Sequence, residues 1–481
     1  MSPKLALLLT CVFVAFVLRA DRWRTKDLSP ALFWPSLWFL VVASRPIGVW
    51  FLIWGLPLPG SDSDSAADGS LLDRLFYGGL AMIGLYVLSR RRVRWSLLAQ
   101  ENPWLVLLMA YLLLSCGWSD YPMVSIKRFV KLFGSVVMAL VVLTEGDQVN
   151  AIATLIRRCA YVHIPMSILA TRYFRDIGIA WDYMGTSSSW QGIASSKNVL
   201  GQIAMLSAIC FIWERVRRGN PKEGRWIDFL YIAMSVYLLK GEESRISMTS
   251  ITVFGLGLAV FLALNSCKKN AAKARRILRP FLAIVVGLLL LVTVHSIVGF
   301  APDSLFGSMI TTFGRDITLT GRTEIWADVY HIANSSPLFG VGFGGFWIGR
   351  MANIPWNAEM SWVLGQAHNG YIDAYLQGGL CGVTLLLILL FKTVHKIDRS
   401  FAENFEYARF CAVMFCVIMY VNITESTYLR GEHSLWLIFL LTALTVPAYA
   451  FDRPGGGKTT TKDAQPLEAD KEPYRDSAAV P

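Results

Sequence analysis

The sequence predicts an all-α polytopic membrane protein with about 12–13 transmembrane helices and one large loop outside the bilayer. The 481-residue chain is 54% hydrophobic and 16% charged, whereas soluble domains carry roughly 25% charged residues. Apolar runs of about 18–22 residues recur along its length, which is what a bilayer core of about 30 Å requires of a helix. Because backbone groups in lipid must be hydrogen-bonded internally, these runs are predicted to be helices.

The apolar runs follow one another in a regular order, separated by polar loops. The predicted spans are residues 5–18, 31–54, 71–88, 104–118, 126–143, 151–170, 198–213, 227–239, 246–264, 281–298, 371–391, 409–424 and 434–450. Only Lys4 precedes the first run, whereas four basic residues follow it at positions 19, 22, 24 and 26, so we expect a retained helix and not a signal peptide.

The Lys and Arg residues concentrate in alternate loops, such as residues 90–94, 215–225 and 268–279. This is the positive-inside pattern, so we expect these loops to face the cytoplasm. The net charge of +11 therefore reflects orientation in a bilayer, and no nucleic-acid partner is predicted.

Four parts follow from this division. Residues 1–298 form an N-terminal transmembrane bundle, and residues 299–370 form a large outer loop that we expect to be catalytic. Residues 371–450 form C-terminal transmembrane helices, and residues 451–481 form a polar cytoplasmic tail predicted to be disordered.

The outer loop ends in the sequence Gln-Ala-His-Asn-Gly at 366–370, at the start of an apolar run. A neutral imidazole at His368 can accept a proton from an attacking hydroxyl. No histidine pair has HxxxH or HExxH spacing and the cysteines form no CxxC pair, so no metal site is predicted.

Basic residues are scarce on the predicted outer side, where Arg245, Arg322 and Lys197 stand out. A guanidinium binds phosphate bidentately and a lysine binds it as a point charge. Charged groups at membrane depth tend to line functional cavities. The alternative is that each of them reaches toward lipid head groups.

Five stretches in this order resemble the bacterial O-antigen ligase and O-antigen polymerase family, which includes exopolysaccharide polymerases. They are Ser-Ser-Lys-Asn-Val-Leu-Gly at 195–201, Ser-Arg at 244–245, Gly-Arg at 321–322 running through Trp326 to Pro-Leu-Phe-Gly-Val-Gly at 337–342, His-Asn at 368–369 before Gly-Gly at 378–379, and Asn-Ile-Thr-Glu-Ser at 422–426.

The resemblance implies a GT-C-like glycosyltransferase fold in the bacterial inner membrane, with the large loop on the periplasmic side and no cofactor. It implies His368 as the catalytic base. The implied ligands of the substrate diphosphate are Arg245 and Arg322, with Lys197 as a helper. The implied supporting residues are Asn369, Glu324 and Glu425.

The expected donor is an undecaprenyl-diphosphate-linked glycan, and the acceptor is either a second glycan or lipid A-core. The segment at 195–201 favours the polymerase or exopolysaccharide branch over the ligase. A non-enzymatic lipid-oligosaccharide flippase is the alternative from another class. The position of the outer charges at helix ends and in one loop favours the enzyme.

Overall fold

The computed structural model describes residues 1–56, 70–181, 188–219, 224–240, 247–267, 269–280, 282–283, 287, 322–349 and 365–452. Within these ranges, the side chains of residues 247–249, 322–324, 327 and 349 are not described. The predicted catalytic loop is therefore described over its second half, at 322–349 and 365–370.

The described part is almost entirely helical. Its helices are α1 (Pro3–Ala20), α2 (Phe33–Ala43), α3 (Ile47–Ile53), α4 (Leu71–Arg90), α5 (Trp95–Glu101), α6 (Pro103–Ser115), α7 (Pro122–Leu143), α8 (Gln148–Tyr173), α9 (Arg175–Gly178), α10 (Lys197–Arg217), α11 (Arg225–Lys240), α12 (Ser247–Asn265), α13 (Arg322–Ala333), α14 (Phe346–Gly349), α15 (Gly370–Glu403), α16 (Phe405–Thr424) and α17 (Ser434–Ala443). Two short antiparallel strands, β1 (Ile179–Trp181) and β2 (Ser188–Trp190), pair Ile179 with Trp190.

Among the described residues, five helices are long and apolar enough to cross a membrane, and up to seven if each bent pair is one span. The chain is thus an all-α, multi-pass membrane protein, as predicted. The exact number of spans remains a prediction.

One predicted span is bent, and a second bend immediately precedes another span. The run at 31–54 contains α2 and α3, which meet at 60°. Helix α5 meets the helical stretch Pro103–Trp118 at 99°, just before the predicted span 104–118. A proline lies at each break, at Pro46 and Pro103. Because proline lacks an N–H and fixes its own φ, it is tolerated where a new helix starts.

The basic stretch predicted as a loop at 268–279 is helical from residue 271 to 280. Arg157 lies in the predicted span 151–170, where the sequence predicts it at the cytoplasmic end, but this side chain is fully buried. It pairs with Glu214 and, at 3.2 Å, with Asp21. Arg24 pairs with Asp228 at 2.8 Å. Buried charges are stable only when paired, so this cluster attaches the first helix to α8, α10 and α11.

Candidate active site

His368 is the second-to-last residue before α15, and local capping holds it there. The Asn369 side-chain oxygen accepts hydrogen bonds from the N–H groups of Tyr371 and Ile372, at 3.0 and 3.2 Å. An asparagine at this position is a preferred helix N-cap. His368 itself has a φ of +52°, a left-handed conformation that is uncommon outside glycine and found at functional sites.

The imidazole of His368 faces a carboxylate. Its Nδ1 lies 3.2 Å from Oε2 of Glu425, and the His368 side chain is 20% exposed. The other oxygen of Glu425 accepts a hydrogen bond from the Asn198 amide at 2.6 Å. A carboxylate at this distance favours the proton on Nδ1, which leaves the Nε2 lone pair available as a base.

Gln366 holds the Glu425 carboxylate beside His368. Its amide oxygen accepts from the Ser426 N–H at 3.3 Å, and its Nε2 donates to Glu425 at 2.9 Å. This Nε2 also lies 3.2 Å from Nδ1 of His368. The Glu425 carboxylate can only accept hydrogen bonds, so it binds the Gln366 amide and, when the proton is on Nδ1, the His368 imidazole.

Both backbone groups of Ala367, the residue before His368, are held by side chains. The Trp326 indole donates to the Ala367 carbonyl at 2.8 Å, and the Ala367 N–H donates to Asp373 at 3.2 Å. Trp347 donates to the other oxygen of Asp373 at 3.0 Å. Helices α13, α14 and α15 therefore meet at the peptide that carries the histidine.

A second connection joins the loop to α15. The helix is broken at Gly379, where φ is +57° and ψ is −160°, and the segment 337–342 fills the break. The four backbone bonds run from Val341 N to Leu376 O (2.9 Å), Gly342 N to Gln377 O (3.2 Å), Leu380 N to Pro337 O (2.8 Å) and Cys381 N to Leu338 O (3.1 Å). A Cβ on Gly379 would lie 2.5 Å from the Leu338 carbonyl carbon. The glycine pair and the Pro-Leu-Phe-Gly-Val-Gly segment are thus one structural unit.

The structure brings three of the predicted site residues together: His368, Asn369 and Glu425. Lys197 is exposed at the first position of α10. It directly precedes Asn198, which reaches Glu425.

The structure does not describe the side chains of the remaining predicted site residues, Arg245, Arg322 and Glu324. Arg245 lies outside the described residues altogether. Arg322 and Glu324 belong to the first turn of α13, but their side chains are not described. Their roles remain predictions.

Sequence reasoning missed Asn198, Gln366 and Asp373 as site residues. Asn198 and Gln366 both lie inside segments that were singled out, so their proximity to Lys197 and His368 was a usable signal. Asp373 begins an apolar run, and nothing in its local sequence marks it. Across the described residues, no group of three or more His, Cys, Asp or Glu side chains could hold a metal ion.

A separate cavity of about 910 Å³ lies toward the other end of α15, where Lys392, Lys396 and Arg399 line it. At 1.5 Å per residue, Lys392 is about 35 Å along the helix from His368. This cavity does not belong to the histidine site.

Comparison with known proteins finds two similarities. Residues 230–387 match the family described as O-antigen ligase. The exopolysaccharide production protein ExoQ of Rhizobium meliloti (strain 1021) is 26% identical over 357 residues, which cover 72% of this chain and 77% of ExoQ. Both matches support the resemblance to the O-antigen ligase and polymerase family that was inferred from the sequence.

The matched O-antigen ligase region contains His368, and it also contains Gln366 and Asp373, which contact the histidine segment. Glu425 and Asn198 lie outside residues 230–387. The histidine therefore comes from the part of the chain that matches the family model, and the carboxylate beside it comes from the C-terminal helices.

Proposed function

We propose that this protein is an inner-membrane glycosyltransferase that takes a glycan from an undecaprenyl-diphosphate-linked donor and transfers or polymerises it in exopolysaccharide or O-antigen biosynthesis. The reaction is metal-independent, inverts the anomeric configuration and takes place on the periplasmic side. The contact of His368 with Glu425 carries the proposal, because the carboxylate orients one imidazole nitrogen and leaves the other available.

In the proposed reaction, Nε2 of His368 accepts the proton of the acceptor hydroxyl. The oxygen then attacks the anomeric carbon from the face opposite the diphosphate. The carbon–oxygen bond to the diphosphate breaks, and its electron pair leaves with the phosphate oxygen. Glu425 stabilises the imidazolium that forms, as a buried carboxylate does in a catalytic triad.

On the donor side, we propose Arg245 and Arg322 as diphosphate ligands, assisted by Lys197. Two observations support this arrangement. Arg322 begins the helix whose Trp326 holds Ala367, and Lys197 begins the helix whose Asn198 holds Glu425. Fixed cations near the departing diphosphate would stabilise the charge that grows on it.

The distribution of charge supports the periplasmic placement. Lys392, Lys396 and Arg399 lie toward the far end of α15, about 35 Å along the helix from His368. By the positive-inside rule we expect this end to face the cytoplasm and the histidine site to lie on the opposite side of the bilayer.

The similarity to ExoQ favours the exopolysaccharide branch. The alternative acceptor is lipid A-core, in which case the enzyme is a ligase of lipopolysaccharide. A flippase that moves lipid-linked oligosaccharide without transfer is the further alternative, and the oriented His368 has no role in it.

The test uses purified full-length protein and an undecaprenyl-diphosphate oligosaccharide, with and without lipid A-core. A ladder of longer lipid-linked glycans in the absence of lipid A-core supports polymerisation. Transfer only when lipid A-core is present supports the ligase. If neither product forms and the lipid-linked glycan crosses vesicle bilayers instead, the proposal is wrong.

A further inference from the structure

The connection between α16 and α17, residues 425–433, is fixed by hydrogen bonds beside residues 365–370, the segment that carries His368. The Asn422 side-chain oxygen accepts from the N–H groups of Thr427 and Tyr428, at 2.9 and 3.1 Å. The Ser135 hydroxyl donates to the Gly431 carbonyl at 3.0 Å. A Cβ on Gly431 would lie 2.5 Å from the backbone of α7, so this connection packs directly on that helix.

This connection presents two side chains to the histidine segment. Glu425 contacts His368, and five residues later the Arg430 guanidinium donates to the carbonyl of Gly365. The residue before it, Leu429, is buried with a φ of +59°. A branched side chain in this region is a conformational outlier, and such outliers cluster at functional sites. Among the described residues other than glycine, His368 and Leu429 are two of four with positive φ.

The Arg430 guanidinium has donors to spare. It carries five N–H groups, and within the described ranges the Gly365 carbonyl is its hydrogen-bond acceptor. No carboxylate of the described residues lies within ion-pair distance of Arg430 or of Lys131 on α7, whose ammonium lies 4.8 Å from the centre of the Tyr77 ring. Arg430 acts electrostatically on the carboxyls of Asp373 and Glu432 from beyond that distance, so its remaining N–H groups are available to a bound anion.

Two more cations belong to the same region. Arg128 and Lys131 lie one turn apart on α7, and Arg128 donates to the Gly344 carbonyl at 2.6 Å. Desolvation would raise the pKa of the Glu432 carboxyl, but Lys131, Arg430 and Arg128 together lower that pKa below its usual value. The three cations therefore lie close enough to act on one carboxylate beside the histidine site.

We infer that Arg430, with Lys131 and Arg128 beside it, forms an anion site next to His368 that binds the diphosphate of the lipid-linked donor. This inference rests on the proposed function. It adds diphosphate ligands from α7 and the 425–433 connection to the expected ligands Arg245, Arg322 and Lys197. Guanidinium groups bind phosphate oxygens with paired, directional hydrogen bonds.

The site would act on the leaving group. When the acceptor oxygen bonds to the anomeric carbon, the carbon–oxygen bond to the diphosphate breaks and its electron pair remains on the phosphate oxygen. The proton has gone to His368, so the new negative charge is on the diphosphate alone. Arg430 is hydrogen-bonded to Gly365, three residues before the base, and from there it would stabilise that charge.

Binding of the reaction product, undecaprenyl diphosphate, tests the inference without glycan transfer. Purified full-length protein in detergent is titrated with undecaprenyl diphosphate, and the dissociation constant is measured for the wild type and for Arg430→Gln and Arg430→Lys. We expect Arg430→Gln to weaken binding by about tenfold or more, and Arg430→Lys to weaken it less. Lys392→Gln, at the far end of α15, is the matched control and should bind as the wild type does.

Two competitors identify the source of the phosphate. Undecaprenyl monophosphate and an anionic phospholipid should each bind more weakly than the diphosphate and depend less on Arg430. Equal binding of diphosphate by the wild type and a folded Arg430→Gln variant overturns the inference. Equal competition by the phospholipid also overturns it, because the site is then one for general head groups.

His368→Ala separates this inference from the proposed function. The variant lacks the base but keeps Arg430, so it should bind undecaprenyl diphosphate normally while it transfers no glycan. If the wild type transfers no glycan but its diphosphate binding still depends on Arg430, the glycosyltransferase proposal fails and the anion site stands. Gel filtration and thermal unfolding confirm that each variant is folded.

Discussion

Substitution of Glu425 by Gln removes one negative charge beside His368 and leaves the volume of the side chain almost unchanged. At the observed separation of 3.2 Å, Coulomb's law with an effective dielectric constant of about 20 gives an attraction of about 5 kcal/mol for a charged imidazolium. Because the His368 side chain is 20% exposed, solvent screens part of this attraction.

Hydrogen bonds to charged groups contribute about 1.5–3 kcal/mol in measured cases. We therefore expect Glu425→Gln to cost about 2–3 kcal/mol in the transition state, which lowers kcat by about 30-fold to 150-fold. The KM for the donor should change little, because the imidazolium exists only as the reaction proceeds.

The assay is steady-state glycan transfer by purified protein with an undecaprenyl-diphosphate-linked donor. Glu403→Gln removes an exposed carboxylate at the end of α15 and serves as the control, with unchanged kcat expected. A kcat for Glu425→Gln within about threefold of the wild type would refute the argument that this carboxylate stabilises the imidazolium.

Three further predictions test the surrounding structure. Trp326→Phe removes the indole N–H bonded to Ala367, so transfer should fall by about fivefold; wild-type activity would show that this hydrogen bond does not position the histidine. Gly379→Ala places a Cβ against the Leu338 carbonyl carbon in a left-handed conformation, and should lower the melting temperature by several degrees. Gly78→Ala, at a helix position with open space, should not. Burial lowers the pKa of His433 to about 4, below the 6.5 of an unfolded chain. Stability should therefore be complete above pH 6.5 and decline as the pH falls toward 4, and His433→Gln should reduce that slope in thermal unfolding.

The helix positions were largely predictable because hydropathy is a local property of the chain. The predicted spans 198–213 and 409–424 lie within Lys197–Arg217 and Phe405–Thr424. The bends were not predictable, because a kink between two apolar helices leaves the composition of the run unchanged. The burial of Arg157 was not predictable either, because its partners Asp21 and Glu214 are distant in sequence.

The site followed the same division. Local motifs identified His368 and Asn369, and the C-terminal motif contained Glu425. His368 and Glu425 are separated by 57 positions in the sequence, so no local pattern predicts their contact. The comparisons support the resemblance to the O-antigen ligase family, and the roles of the individual site residues remain predictions.

The most direct test of the central claim is the transfer rate of His368→Ala, measured with an undecaprenyl-diphosphate-linked glycan and purified protein. Removal of a general base typically costs about 10²–10⁴-fold. We expect a loss in this range, with undecaprenyl diphosphate binding retained. Transfer at the wild-type rate by a folded His368→Ala protein would contradict the assignment of His368 as the base.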